Sequence, residues 1–358
     1  MSGGGMRILH ISTNREWGGG ENQILALVRG LNEAGIDVRL AAMRGGALLR
    51  EAAVLGEMVV PLPSTRIGPV KALMKRLQPD LVHVHDSPGV RAGGRAGRKL
   101  GVPVVLSRRV ASPVRRNWFS QRKYSAPYFT AVLAVSETVG RVFVATSSYP
   151  AERVRVVPDG IDVMALDALE PDHRLREGLG GIPLVGGIGK LAPKKNWSFL
   201  LQTAAELKGR GVPLRWVVVG DGPERSRLEG MMDEMGLAGT VQLMGFRREA
   251  QRILKSLDLL FAPSLMEGAG VIVREAMVCR IPSVIVDTPG MMESLDGHGW
   301  VVPAGDPVRA ADAVAEALAD GERRRAVIEG ARESALRRFS FEITLARTLD
   351  AYRFILGR

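Results

Sequence analysis

Leu184-Val185-Gly186-Gly187-Ile188-Gly189-Lys190-Leu191-Ala192-Pro193-Lys194-Lys195-Asn196 is the stretch that decides how this chain folds. Leu184–Ile188 is a short apolar run of strand length, and the residues from Asn196 to Lys208 repeat apolar positions at helical spacing. Between them lies a glycine turn. A strand passed to a helix through such a turn is the repeating unit of a parallel sheet with helical crossovers. The turn carries Lys190 and Lys195, five positions apart, which as point charges suit a diphosphate or simply a solvated surface. No G-x-x-x-x-G-K-[ST] pattern is present, which argues against a P-loop ATPase.

Outward from this stretch the same alternation runs in both directions. Downstream, strands are predicted at Leu214–Val219 (ending in Gly220-Asp221-Gly222-Pro223), Val241–Leu243, Leu259–Ala262 and Ser283–Val286. A helix from Pro307 to Leu318 has Asp306 as its cap, and residues 341–358 form a last helical pattern. Upstream, strands are predicted at Arg7–Ser12, Val38–Met43, Leu81–His85, Val102–Ser107, Ala131–Val135 and Val154–Val157. The first is followed by a helix over Glu21–Glu33, with Ile24, Leu25, Leu27, Val28 and Leu31 on one face. The series breaks at the turn Asp159-Gly160-Ile161-Asp162 and then restarts. The expectation is an α/β chain of two doubly wound domains, residues 1–165 and 166–340, with a final helix at 341–358 packing back on the first. Two such sheets would turn the loops at their carboxyl ends towards a central cleft.

Composition agrees with this plan. At 358 residues the chain has room for two domains; 46% of residues are hydrophobic and 24% charged, ordinary values for a globular protein. No apolar run approaches the ~18 residues of a membrane span. Met1-Ser2-Gly3-Gly4-Gly5-Met6 leads straight into the first strand, too short for a secretory signal, so Met6 is a candidate start after a disordered leader. Cys279 is the single cysteine, which leaves no intrachain disulfide and no cysteine metal site. A cytoplasmic location is expected. Of the net charge of +11, residues 1–160 carry 23 Lys and Arg against 11 Asp and Glu, a local net of +12, and the remainder holds 26 against 27. A basic first half attracts polyanions or an anionic membrane face.

Two further loops carry candidate chemistry. Gly18-Gly19-Gly20-Glu21 separates the first strand from the first helix, where bare backbone can approach an anion, although it is not the spaced dinucleotide fingerprint. Ser264-Leu265-Met266-Glu267-Gly268-Ala269-Gly270-Val271-Ile272-Val273-Arg274-Glu275 sets two glutamates eight positions apart around a Gly-x-Gly turn. Its amides and helix start suit a phosphate, and its carboxylates suit sugar hydroxyls.

With these residues in place the chain resembles the retaining GT-B glycosyltransferases of family 4, also called group 1, and among them cell-envelope and lipopolysaccharide-core members. The resemblance rests on Gly18–Glu21, on Val157-Pro158-Asp159-Gly160-Ile161-Asp162 (close to V-P-N-G-I-D), on Gly189-Lys190-Leu191 with Lys195, on Val217-Val218-Val219-Gly220-Asp221-Gly222-Pro223-Glu224, on Gly245-Phe246, and on the Glu267/Glu275 pair. It implies that the second domain binds a nucleotide-sugar donor. Gly189, Lys190 and Lys195 would hold the diphosphate and Glu275 the ribose. Glu267 would face the transferred sugar, with the amides of Gly268, Ala269, Gly270 and Val271 beside it. Gly245 and Phe246 would lie near the base, and Gly19 and Gly20 would approach the diphosphate from the first domain.

The chemistry implied is metal-independent glycosyl transfer with retention and without a cofactor. No Asp-x-Asp motif appears; Asp159 and Asp162 are the closest approach to one. The chain departs from the family pattern at three places. Lys190 stands for an arginine and Asp159 for an asparagine. Arg109, in Val105-Leu106-Ser107-Arg108-Arg109-Val110, occupies the place of a histidine found in many relatives. Arginine is no base, so Arg109 is expected to bind an anionic acceptor or donor group, while His83 and His85, one strand earlier, are expected to be structural. From Arg108 to Lys123 six basic residues and no acid flank Trp118 and Phe119. That mixture suits a phosphorylated glycolipid acceptor and peripheral contact with the inner face of an anionic membrane. Nucleic acid is not an expected partner, though the same interleaving can bind it. A nucleotide-sugar epimerase of this architecture and a non-catalytic nucleotide-sugar-binding homologue are the other function classes the sequence allows.

Overall fold

The computed structural model describes residues 5–319 and 321–357; the leader Met1–Gly4 lies outside them. The chain divides into two units, Met1–Gly160 with Glu342–Arg358, and Ile161–Phe341.

The first unit is a parallel sheet of seven strands: β1 (Arg7–Ser12), β2 (Asp37–Met43), β3 (Val59–Leu62), β4 (Leu81–Val84), β5 (Val104–Arg108), β6 (Ala131–Ala134) and β7 (Val154–Val156). Their spatial order is β3-β2-β1-β4-β5-β6-β7. Helices on both faces bury it, so its strands are nearly continuous apolar runs. Leu9, Ile11, Val82, Val84, Leu106 and Val132 line one face. Ile8, Leu40, Leu81, Val105 and Leu133 line the other, packed against Tyr352 and Ala351 of the C-terminal helix Phe341–Leu356. Strand periodicity continues this second row towards the carboxyl ends, where the next inward positions are His10, His83 and Ser107. The row turns polar where the chain leaves the sheet.

The second unit has six parallel strands: β8 (Leu184–Ile188), β9 (Arg215–Val219), β10 (Val241–Gly245), β11 (Leu259–Ala262), β12 (Ser283–Val286) and β13 (Trp300–Val302). Their order is β10-β9-β8-β11-β12-β13. Its core centres on Trp216, Phe199 and Phe261, with the Trp216 and Phe261 rings 5.7 Å apart and close to perpendicular. Glycine in β8 brings the next helix unusually near. A Cβ at Gly187 would lie 2.4 Å from the indole of Trp197, the first residue of the helix Trp197–Gly209.

Two strands were not predicted from the sequence. β3 contains Pro61, which lacks the N–H of a central strand but is tolerated at a sheet edge. β13 is three residues long and also lies at an edge. Each sheet reverses its winding once, between β1 and β4 in the first unit and between β8 and β11 in the second. Such reversal points open a crevice beyond the carboxyl ends of the strands, where ligands of this architecture bind.

Candidate active site

In the second unit the loops following β8 and β11 meet at the reversal point. The indole N–H of Trp197 donates to the Lys190 carbonyl at 3.0 Å, so the space left by Gly187 indirectly shapes the lysine turn. The turn also lies against the one after β9. Gly220, at φ 142°, packs so tightly that a Cβ there would fall 1.9 Å from the Gly189 carbonyl oxygen. The Leu265 amide donates to the Lys194 carbonyl at 2.9 Å, tying the lysine turn to the glutamate loop.

This scaffold brings Lys195 and Glu267 together, although 72 positions separate them. The Lys195 ammonium pairs with Glu267 Oε1, and both side chains are more than four-fifths buried (17% and 19% exposed). Ser264 Oγ donates to the same carboxylate at 3.2 Å. The Lys195 side chain lies over Gly189, close to where a Cβ there would sit. Gly268, Ala269 and Gly270 are buried, with Gly270 left-handed (φ 54°) at the start of the helix Val271–Val278.

Residues not singled out from sequence hold this loop. Arg274, fully buried, stacks on the Phe339 ring at 3.9 Å and donates through Nε to Ser294 Oγ at 2.9 Å. Ser294 in turn donates to the Ala269 carbonyl at 2.5 Å. Nothing local marks Arg274 as a buried support, because Ser294 and Phe339 lie twenty or more positions away.

The other predicted residues are more dispersed. Lys190 is exposed. Glu275, half-buried in its helix, accepts from the Gln251 amide at 3.3 Å, and burial pushes its carboxyl up to about 7 despite that bond. Gly245 ends the edge strand β10 and accepts from the Gly220 amide at 2.9 Å, with Phe246 beyond it 57% exposed.

In the first unit the loop Gly18–Glu21 follows β1. Gly19 and Gly20 are the first residues of the helix Gly19–Glu33, which begins two positions earlier than the apolar pattern predicts. Adjacent arginines at the end of β5 take opposite faces, as strand alternation requires. Arg108 is 8% exposed, sandwiched between Tyr124 and Phe143 at 5.5 and 5.7 Å, and donates to the Ser112 carbonyl at 2.5 Å. Burial lowers its pKa, and it is an internal strut rather than part of the basic surface anticipated for residues 108–123. Arg109 turns the other way. Its Nε donates to Asp159 Oδ1 at 3.1 Å, its Nη1 lies 3.2 Å from His85 Nδ1, and its aliphatic stem runs beside Gly20. The departures at 109 and 159 are thus partners in one ion pair.

Behind Arg109 lie three buried imidazoles. His10 Nδ1 is 2.9 Å from His85 Nε2; His83 reaches the Tyr352 hydroxyl (2.6 Å) and Ser107 Oγ (2.7 Å). Burial, reinforced by the Arg109 charge, pushes His10 down to about 3 and holds His83 and His85 well below the ordinary imidazole value. All three are neutral at physiological pH. Their ring nitrogens lie within 4.8 Å of one another, a spacing that would also admit a metal ion.

The basic loop ends in a short helix, Trp118–Lys123, capped by Asn117. Trp118 and Phe119 stand 62% and 78% exposed, edge to face, with the Arg122 guanidinium 4.8 Å from the Trp118 ring centroid. No described helix is long and apolar enough to cross a membrane.

Comparison with known proteins bears on both units. The family description "Glycosyltransferase Family 4" matches residues 17–164, and "Glycosyl transferases group 1" matches residues 177–334. A putative glycosyltransferase, EpsF of Bacillus subtilis, is 27% identical over 355 residues, covering 92% of each chain. The 2-deoxystreptamine N-acetyl-D-glucosaminyltransferase of Streptomyces fradiae is 30% identical over 311 residues, 80% of this chain and 73% of that one. Among solved structures, Anabaena HepE, crystallised with UDP and glucose, superimposes with a TM-score of 0.84 at 19% identity, over 97% of this chain and 99% of that one. At that identity the likeness concerns fold, which is GT-B: two Rossmann-like units, each built on a parallel sheet.

Proposed function

Since the chain belongs to the group 1 glycosyltransferases, we propose that it transfers a sugar, with retention and without a metal, from a nucleotide-sugar donor held by its second unit to an anionic cell-envelope glycan or glycolipid. One observation carries this reading: an ammonium and a carboxylate, Lys195 and Glu267, are paired and largely buried at the reversal point of the second sheet. A partly buried ion pair is costly to break unless new partners replace both halves. A nucleotide-sugar replaces both. Its diphosphate takes Lys195, assisted by Lys190, and its sugar hydroxyls take the carboxylate of Glu267. HepE, of the same fold, has been crystallised with UDP and glucose, which is consistent with such a donor.

In the reaction the bond from the anomeric carbon to the diphosphate oxygen breaks and a bond to the acceptor oxygen forms on the same face. Negative charge gathers on the departing nucleoside diphosphate, where fixed ammonium groups and the loop amides of Gly268 to Val271 lower its energy. The leaving phosphate oxygen receives the acceptor proton, so no separate base is required. Glu275 takes ribose hydroxyls as donors, which favours its ionised form and offsets the burial that raises its pKa. Gly245 and Phe246 serve the base.

Arg109 binds an anionic group of the acceptor. The exposed Trp118–Phe119 pair, with Arg115, Arg116, Arg122 and Lys123 around it, rests on an anionic membrane surface from the cytoplasmic side. An epimerase or a non-catalytic binding homologue is not favoured, because the named relatives are glycosyltransferases. The test is a screen of UDP-, GDP- and ADP-sugars for released nucleotide, with and without chelator. Release from one donor class, insensitive to chelator, is expected. No release from any, with Lys195 and Glu267 unmoved in donor-soaked crystals, would overturn the reading.

A further inference from the structure

The polar groups buried behind Arg109 form a connected series. Arg109 Nη1 lies 3.2 Å from His85 Nδ1; His85 Nε2 lies 2.9 Å from His10 Nδ1. His10 Nε2 lies 3.4 Å from the Tyr352 hydroxyl, the longest link. That hydroxyl lies 2.6 Å from His83 Nδ1, and His83 Nε2 lies 2.7 Å from Ser107 Oγ. Residues from β1, β4, β5 and the C-terminal helix contribute, and the imidazoles and Tyr352 are at most 8% exposed.

Donor and acceptor counting fixes the protons of His85 and His10, and burial of the Tyr352 hydroxyl selects the arrangement beyond them. A guanidinium only donates, so His85 Nδ1 must accept. A neutral imidazole has one donor and one acceptor, so His85 Nε2 carries the hydrogen and donates to His10 Nδ1. His10 Nε2 then donates to Tyr352. Tyr352 has a single hydroxyl hydrogen, which goes to His83 Nδ1, and His83 Nε2–H donates to Ser107. The charge of Arg109 thus sets the tautomers of His85 and His10. At His83 the alternative, Nδ1–H donating to Tyr352, would leave the hydroxyl hydrogen of fully buried Tyr352 without an acceptor, whereas the arrangement given leaves only that of Ser107, which is 8% exposed.

We propose that Arg109, His85, His10, Tyr352, His83 and Ser107 form a tautomer-locked hydrogen-bond chain whose task is to hold the Arg109 guanidinium in place for its anionic ligand, with Tyr352 of the C-terminal helix as the positioning residue that joins its two halves. Tyr352 is the one link that is not an imidazole and yet both accepts and donates. Asp159 holds the opposite side of the guanidinium through Nε, so Arg109 is fixed from two directions and its Nη2 has no hydrogen-bond partner among the described residues. The locked chain also employs each lone pair that a metal would need at these histidines, so it and a metal site exclude each other. The positioning role rests on the acceptor-binding reading of Arg109 given above; the tautomer pattern does not.

Long-range nitrogen–proton NMR of the histidine rings in the full, ligand-free chain tests the pattern. His10, His83 and His85 should each appear as the Nε2–H tautomer, unchanged from about pH 5 to about pH 9. An Nδ1–H tautomer at any of the three, titration of any within that range, or stoichiometric Zn2+ binding that shifts all three would overturn the chain. Arg109→Leu should release His85 into mixed tautomers, and Arg109→Lys, still a donor, should restore the single form. Because Arg109 lies outside the strands and, unlike Tyr352, is not fully buried, these variants test the proposal even if Tyr352→Phe fails to fold. In the folded Tyr352→Phe protein, His83 should lose its single tautomer, and kcat/KM for acceptor should fall about 10- to 100-fold while donor KM stays unchanged. An unchanged acceptor kcat/KM with the tautomers released would refute the positioning role. Absence of any transferase activity in the wild type, with the tautomers as expected, would instead count against the functional reading alone.

Discussion

The reversal points of the two sheets have the same topology and opposite chemistry. Behind the lysine turn of the second unit the strands are apolar, and β8 carries glycines, so Lys195 and Glu267 sit on a close-packed backbone floor. Behind Arg109 in the first unit the inward row is polar, built of His10, His83 and Ser107. On the reading proposed above, one crevice holds a charged pair that is exchanged for a ligand; the other holds a cation paired with Asp159 on one side and braced by neutral groups behind. The same architecture would then support a site whose charges rearrange on binding and a site whose charge is fixed before it.

The sharpest way to break this comparison is Lys195→Ala. Loss of an electrostatic contact to the leaving group should lower turnover about 100- to 1,000-fold in a chain that still folds, with a lower unfolding temperature because Glu267 is left unpaired. Wild-type turnover in that variant would remove the second unit's claim to the chemistry. Arg109→Leu should do less and do it differently. Acceptor kcat/KM should fall about 10- to 100-fold while hydrolysis of donor alone is preserved, as expected for a lost uniform contact to one substrate. Equal loss in both assays would erase the distinction between the two crevices.

A smaller effect separates Glu275 from its surroundings. Its folded-state pKa, about 7, lies above the ordinary 4.5. Between those values the folded chain keeps a proton the unfolded chain has lost, so this group makes stability fall as pH rises through the window and level off above it. Denaturant unfolding from pH 5 to 8 should show Glu275→Gln gaining roughly 1–3 kcal/mol on the wild type as pH rises. A constant difference would mean that the folded chain does not hold the Glu275 proton through this range. The mildest prediction concerns the surface. Replacing Trp118 and Phe119 by alanine should weaken binding to anionic liposomes several-fold, about 1 kcal/mol, with that binding itself falling as salt is added. Retained liposome binding would move the membrane contact elsewhere, and salt-sensitive binding to oligonucleotides would favour the nucleic-acid alternative.

Much of the fold was legible in the sequence because strand and helix periodicities are local. The run into Gly189, the glycines at 18–20 and the cap at Asp306, which accepts from the Arg309 amide at 3.0 Å, each declare an element within a few residues. β3 and β13 escaped because edge strands are short and need not be uniformly apolar. Lys195 and Glu267 were legible as charged residues in glycine turns; that they pair was not. Arg108 was misjudged as surface because six clustered basic residues look like a solvated patch until the strand's alternation sends one of them between two aromatic rings.

By itself the sequence determined which segments become strands, where they turn, and that two doubly wound units follow one another. Tertiary structure alone decided the partnerships: Arg109 with Asp159 across 50 positions, Lys195 with Glu267 across 72, His83 with Tyr352 across 269. The physical reason is that backbone preferences act over a few residues, whereas a buried charge or imidazole is satisfied only by whatever the strand order places beside it.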